Sequence, residues 1–144
     1  MMKKVLVPID GSATSLRALD ILMQKRTLYR DPAEMEIHLL NVQHPVSGDV
    51  DMFVDHEQIK QYHREQSLES LKPARNRLDQ AGIPYIFHIG VGDPGEVIAH
   101  YAKEKGCDQI IMGTRGRGEL AGLLLGSVAW KVIHLAEVPV LLVK

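Results

Sequence analysis

The chain has 144 residues, with 17 Lys plus Arg against 18 Asp plus Glu and a single cysteine. That length suits one compact domain over residues 1–144 and is too short for two ordinary ones. The near-neutral balance gives no footprint for a nucleic-acid or membrane surface, and the lone Cys107 excludes an internal disulfide and fits a reducing, cytoplasmic interior.

Met1 to Lys4 is basic, but the apolar run after it ends at Asp10, shorter than the ~7–15 residues of a secretory h-region, and no segment approaches the ~20 apolar residues of a membrane span. Val5 to Ile9 reads as a first strand covered on both faces. Pro8 belongs at its end, because a proline in mid-ladder would delete a hydrogen bond. Asp10-Gly11-Ser12 then forms a turn, with Ser12 capping a helix that turns Leu16, Leu19, Leu22 and Met23 inward.

Glu36 to Val42 reads as the second strand, and Gln43 to about Asp55 as a mobile loop placed where it would cover a ligand. Ile59, Tyr62, Leu68, Leu71, Leu78 and Ala81 mark a long helical stretch, in which Pro73 predicts a bend. His56 and His63 lie on one side of it and read as solvated side chains, since a His-Glu-x-x-His pattern is missing. Tyr85 to Ile89 is the third strand. Asp93-Pro94-Gly95-Glu96 opens the third helix as a capping box, and Val97, Ile98, Tyr101 and Ala102 form its apolar face.

The last segments carry the chemistry. Asp108 to Met112 reads as a buried strand and delivers Gly113-Thr114-Arg115-Gly116. A spacer from Arg117 to Leu125 leads to Gly126-Ser127-Val128 and a final helix, off whose stripe Trp130 falls, and Val138 to Val143 supplies a fifth strand. Glycines admit close main-chain approach, and the first turn of a helix offers unpaired N–H groups and partial positive charge that suit phosphate. Ser127 adds a hydroxyl, and Arg115 and Arg117 add mobile positive charge. Taken singly, each of these glycines also reads as an ordinary turn or cap residue.

The alternation β-α-β-α-β-α-β-α-β predicts an α/β fold, an open five-stranded parallel sheet with helices on both faces, for which we take the common strand order 3-2-1-4-5. Ligands settle beyond the carboxyl ends of such sheets where the winding reverses, here between strands one and four, which sets Asp10 opposite Gly113.

Competing motifs fail in context. Gly90-Val91-Gly92-Asp93-Pro94-Gly95 matches G-x-G-x-x-G but follows the third strand rather than the first, and Asp108 begins its strand where an acidic residue should end one. His88-Ile89-Gly90 begins like the adenylate-transfer signature of class I synthetases, with Val91 in place of the second histidine. No Walker A sequence, G-x-S-x-G serine, Cys-His pair or metal-ligand cluster is apparent.

The spacing G-x2-G-x9-G-S from Gly113 to Ser127, with Val5 to Ser12, Leu40-Asn41-Val42 and Val138 to Val143, resembles the ATP-binding branch of the universal stress protein family over essentially the whole chain. The resemblance implies a Rossmann-like, adenine nucleotide alpha hydrolase-like fold. It implies an adenine nucleotide (ATP, AMP or ADP, with Mg2+ as an accompanying ion) held by Pro8, Asp10, Val42, Met112, Gly113, Arg115, Gly116, Gly126, Ser127 and Val128. Asp10 would take the ribose side, Val42 would meet adenine through its backbone, Met112 and Gly113 would line the ribose pocket, and Gly116, Gly126, Ser127 and Val128 would hold phosphates. It further implies a homodimer through Val138 to Val143 and a regulatory partner protein. Asn41 departs from the histidine the family often carries. A slow ATPase and a structural dimer with an empty cleft are the alternatives, and no residue has a motif-level claim to catalysis.

Overall fold

The computed structural model describes residues 3–29, 31–48, 52–116 and 124–144. The spacer positions Arg117 to Gly122 and Leu123, like Asp49 to Asp51 in the second loop, lie outside the described residues. Among the described residues five strands, β1 (Lys3–Pro8), β2 (Met35–Gln43), β3 (Tyr85–Val91), β4 (Gln109–Gly113) and β5 (Val140–Val143), alternate with four α-helices. These are α1 (Ala13–Arg26), α2 (His56–Gln80), α3 (Pro94–Glu104) and α4 (Ser127–Leu135). All strand pairs are parallel and the order is β3-β2-β1-β4-β5, the common order expected from the sequence.

Strand parity sorts the core into two layers, because successive side chains leave a strand on opposite faces. Val5, Val7, Ile37, Leu39 and Ile111 pack with Leu19 and Leu22 of α1 and Leu71, Ala74 and Leu78 of α2. Leu6, Leu40, Ile110 and Met112 pack on the other face with Ile98 and Ala102 of α3 and Ala129 and Val132 of α4. Cys107 is buried in the second layer, where desolvation raises the pKa of its thiol and keeps it inert.

Strand ends differ from the sequence reading by a residue or two. β3 runs on through Gly90 and Val91 because these pair with Val42 and Gln43. β5 starts at Val140, since Ile110 opens the ladder by donating its N–H to the Pro139 carbonyl. α2 runs on through Pro73, which sits on its exposed side.

Two histidine readings need correction or completion. His63 is buried, not solvated like His56, and its Nδ1 lacks a hydrogen-bond partner. The inward stripe of α2 is His63, Ser67, Leu71, Ala74, Leu78, so helical spacing carries the buried face back past the last apolar residue. His88 serves no adenylate motif: its Nε2 lies 2.9 Å from Nδ1 of His38, whose Nε2 lies 3.0 Å from Glu36, and the two imidazoles stack at 5.2 Å. Burial, then His38 and Lys105, lower the pKa of His88.

Surface features follow the same logic. Trp130 is 54% exposed and stacks on His134 one turn later. At the β3 margin Arg75 lies over the Phe87 ring at 4.4 Å and donates to the Tyr85 hydroxyl. No helix among the described residues is long and apolar enough to cross a membrane.

Candidate functional site

β1 ends at Pro8, and the chain turns over Gly11, whose φ of 85° is one that glycine adopts without a Cβ penalty. The turn is locked by Asp10, whose Oδ1 accepts from the Ser12 N–H at 2.8 Å. Ser12 in turn caps α1 by accepting from the Ser15 N–H. Asp10 is thereby fixed beyond the carboxyl end of β1, facing the end of β4.

From the other wall β4 delivers Met112, Gly113, Thr114, Arg115 and Gly116. A Cβ on Gly113 would stand 2.9 Å from the Thr14 carbonyl carbon, so glycine is what lets β4 lie against the start of α1. A Cβ on Gly116 would stand 2.7 Å from Asp10 Oδ2, so the two walls close on each other there. The Thr14 hydroxyl donates to the Arg115 carbonyl at 2.5 Å and pins the outgoing loop to α1. Gly126 N–H returns to the Thr114 carbonyl at 2.6 Å, which sets the start of α4 beside the end of β4.

That helix start differs from the others. Ser12, Asp55 and Asp93 each cap their helix with a side-chain oxygen, whereas Gly126 gives α4 no side-chain cap. The positive end of α4 is left facing the crevice. For α3, half of the expected capping box forms among the described residues: Asp93 accepts from Glu96 N–H, and its carboxylate also pairs with Lys131 of α4 at 3.1 Å. These contacts lower the Asp93 pKa, the Glu96 hydrogen bond most, then that of Lys131.

Between the walls lies a cavity of about 290 Å³. Of the ten residues singled out by sequence, Pro8, Asp10, Val42, Met112, Gly113, Arg115, Gly116, Gly126 and Val128 line it. Ser127 does not: it is the first residue of α4, exposed, beside the rim. One flank is apolar, made by Leu40, Val42, Ile98, Met112 and Val128, and the other carries Asp10, Ser15, Asn41, Gln43, Gln66 and Ser70. A flat, partly apolar ligand with a polar, anionic end matches that division.

Sequence reasoning missed the α2 contribution, Gln66 and Ser70, and the entry of Pro94 and Ile98 from α3. The i, i+4 spacing of Gln66 and Ser70 on an otherwise inward-leaning face was the available signal. No group of His, Cys, Asp and Glu that could hold a metal ion occurs among the described residues.

The fold and crevice define a doubly wound α/β protein with its pocket at the switch point between β1 and β4. Comparison with known proteins gives the family: residues 1–144 match the Universal stress protein family, and the chain belongs to it. It is 31% identical to universal stress protein YxiE of Bacillus subtilis, with all of both chains covered. It is 32% identical to universal stress protein MJ0531 of Methanocaldococcus jannaschii, covering 99% of this chain and 82% of the other. Among solved structures, MJ0577 superimposes with a TM-score of 0.82 at 34% identity, covering 100% and 96% of the two chains. A universal stress protein in complex with cAMP superimposes with a TM-score of 0.71 at 25% identity over 99% and 97%.

Proposed function

We propose that this chain holds an adenine nucleotide, with ATP as the principal ligand, and acts as a regulatory module in a stress response rather than as an efficient enzyme. The observation that carries the reading is the start of α4, where Gly126 supplies no side-chain cap, lining one cavity together with Asp10 and an apolar flank. The base lies along Val42, Ile98 and Val128, the ribose meets Asp10, Met112 and Gly113, and the phosphates run toward Arg115, Gly116 and Gly126 with Ser127 at the rim. The complex of a similar protein with cAMP supports an adenine ligand. AMP and ADP share every group except the outer phosphates, and Mg2+ would enter with those phosphates.

The same reading includes a cytoplasmic homodimer. In β5 the Pro139 and Val143 carbonyls serve β4, so the N–H and C=O groups of Val140 and Leu142 point outward along an open margin. A second copy fits that margin about a two-fold axis. A further protein then reads whether nucleotide is present.

Calorimetry with ATP, with and without Mg2+, tests the proposal on the natural chain and on Gly126→Val. The natural chain should bind and the variant should lose at least about tenfold, the equivalent of roughly one lost charge-assisted contact. Binding that survives the valine undiminished rules out this site. A single-turnover hydrolysis assay separates the module from a slow ATPase.

A further inference from the structure

One rung of the β1-β2 ladder is replaced by a side chain, and the replacement falls beside the pocket. In a parallel pair the hydrogen bonds are evenly spaced, and successive residues of a central strand serve its two neighbours in turn. Gly92 N–H donates to the Gln43 carbonyl at 2.9 Å, so the odd-numbered residues here serve the β3 side. Ile9 N–H donates to the Leu40 carbonyl at 2.8 Å, so Leu40 and Val42 serve the β1 side. The next rung in that series would be Val42 N–H to the Ile9 carbonyl.

It is not made among the described residues. The Ile9 carbonyl accepts instead from Asn41 Nδ2 at 2.7 Å, and Ile9 lies beyond the end of β1. The Asn41 amide cannot turn over, because its Oδ1 accepts from Ser67 Oγ and from Gln43 Nε2, each at 2.8 Å. Asn41 is 2% exposed and Ile9 1%, so neither water nor a mobile side chain readily takes over the carbonyl. Val42 lines the cavity, and by the same alternation its N–H is directed toward the β1 side.

We propose that Asn41 is a positioning residue: its carboxamide satisfies the Ile9 carbonyl in place of the Val42 N–H and so releases that N–H for an acceptor on the ligand, a ring nitrogen of the base. The role rests on the nucleotide reading for the ligand, but the release itself is a property of the empty protein. Ser67 and Gln43 hold the carboxamide and belong to the same device. Replacing Asn41 with a residue that has no donor leaves a buried carbonyl whose nearest ladder partner is Val42, and the strand pair closes by one rung at the expense of the pocket.

The test compares the natural chain with Asn41→Leu, Asn41→Asp and Asn41→His by amide hydrogen exchange and by calorimetry. Without ligand, Val42 exchange should slow by about tenfold or more in Asn41→Leu, as a newly formed ladder bond protects the amide. ATP should bind about three- to tenfold more weakly, the range of one neutral hydrogen bond, while inorganic tripolyphosphate, which has no base, should compete as it does in the natural chain. Asn41→His, whose ring N–H can donate, should recover part of the ATP affinity. If Asn41→Leu does not fold, Asn41→Asp keeps the size without the donor and carries the same expectation. Unchanged Val42 exchange, unchanged ATP affinity, or equal losses for ATP and tripolyphosphate would overturn the role. A natural chain that ignores ATP, yet shows the slowed exchange in the variant, overturns the nucleotide reading and leaves the release standing.

Discussion

Adding one methyl group at Gly116 should separate binding from folding. The new Cβ would lie 2.7 Å from Asp10 Oδ2, against a comfortable separation of about 3.5 Å, so the carboxylate must retreat by about 0.8 Å. A retreat of that size stretches the 2.8 Å bond from Ser12 N–H to roughly 3.6 Å, outside hydrogen-bonding range. Any bond from Asp10 to a ligand hydroxyl is spoiled in the same way. Hydrogen bonds to charged groups contribute about 1.5–3 kcal/mol, and 1.4 kcal/mol is a factor of ten, so Gly116→Ala should weaken ATP by about 10- to 100-fold. The fold should lose little more than that one turn hydrogen bond, because Asp10 is half-buried and water can take its place. Gly113→Ala is the contrast. Its Cβ would meet main-chain atoms of Thr14 at 2.9 and 3.0 Å, which no rotamer change relieves, and such overpacking costs about 1–3 kcal/mol. Calorimetric titration and thermal unfolding on both variants decide the matter. Gly116→Ala with natural ATP affinity would refute the placement of Asp10 against the ligand, and Gly113→Ala with an unaltered melting temperature would refute the close seat of α1 on β4.

Two further outcomes are expected. The folded protein holds the pKa of His88 below its ordinary 6.5, so the unfolded chain takes up a proton first as pH falls. Stability should decline on acidification from about 6.5 down to the folded-state pKa and level off below it; thermal melts from pH 8 to 5 should show a flatter profile for His88→Asn, and parallel profiles would dismiss His88 as the group responsible. Leu141→Glu, at an exposed position on the outer strand, should turn the proposed dimer into a monomer in sedimentation without lowering α-helical content. A dimer that persists would mean that another surface joins the copies.

The sheet order was legible because each strand is a short apolar run and each connection is long enough to cross over, which leaves few windings. The glycine loop was legible because Gly113 and Gly116 stand directly after a strand, where close approach has a use. The Gln66 and Ser70 flank was not, since it depends on how α2 leans over β2, and helical spacing alone does not state the tilt. Nor was His63, whose burial follows from the stripe through Leu71 and Leu78 rather than from its own polarity. The role of Asn41 is further still from the sequence: it emerges from which ladder partner a single carbonyl chooses.

Arg75 bears on how large an assembly can become. Its guanidinium sits over Phe87 beside the outer strand, charging one border of the sheet, while along the opposite border the main-chain groups of Val140 and Leu142 point away from β4. A sheet with two receptive borders could add copies without end, as fibrils do. With one border guarded, the head-to-head pairing proposed above would consume the receptive side of both chains, and growth would halt at the pair.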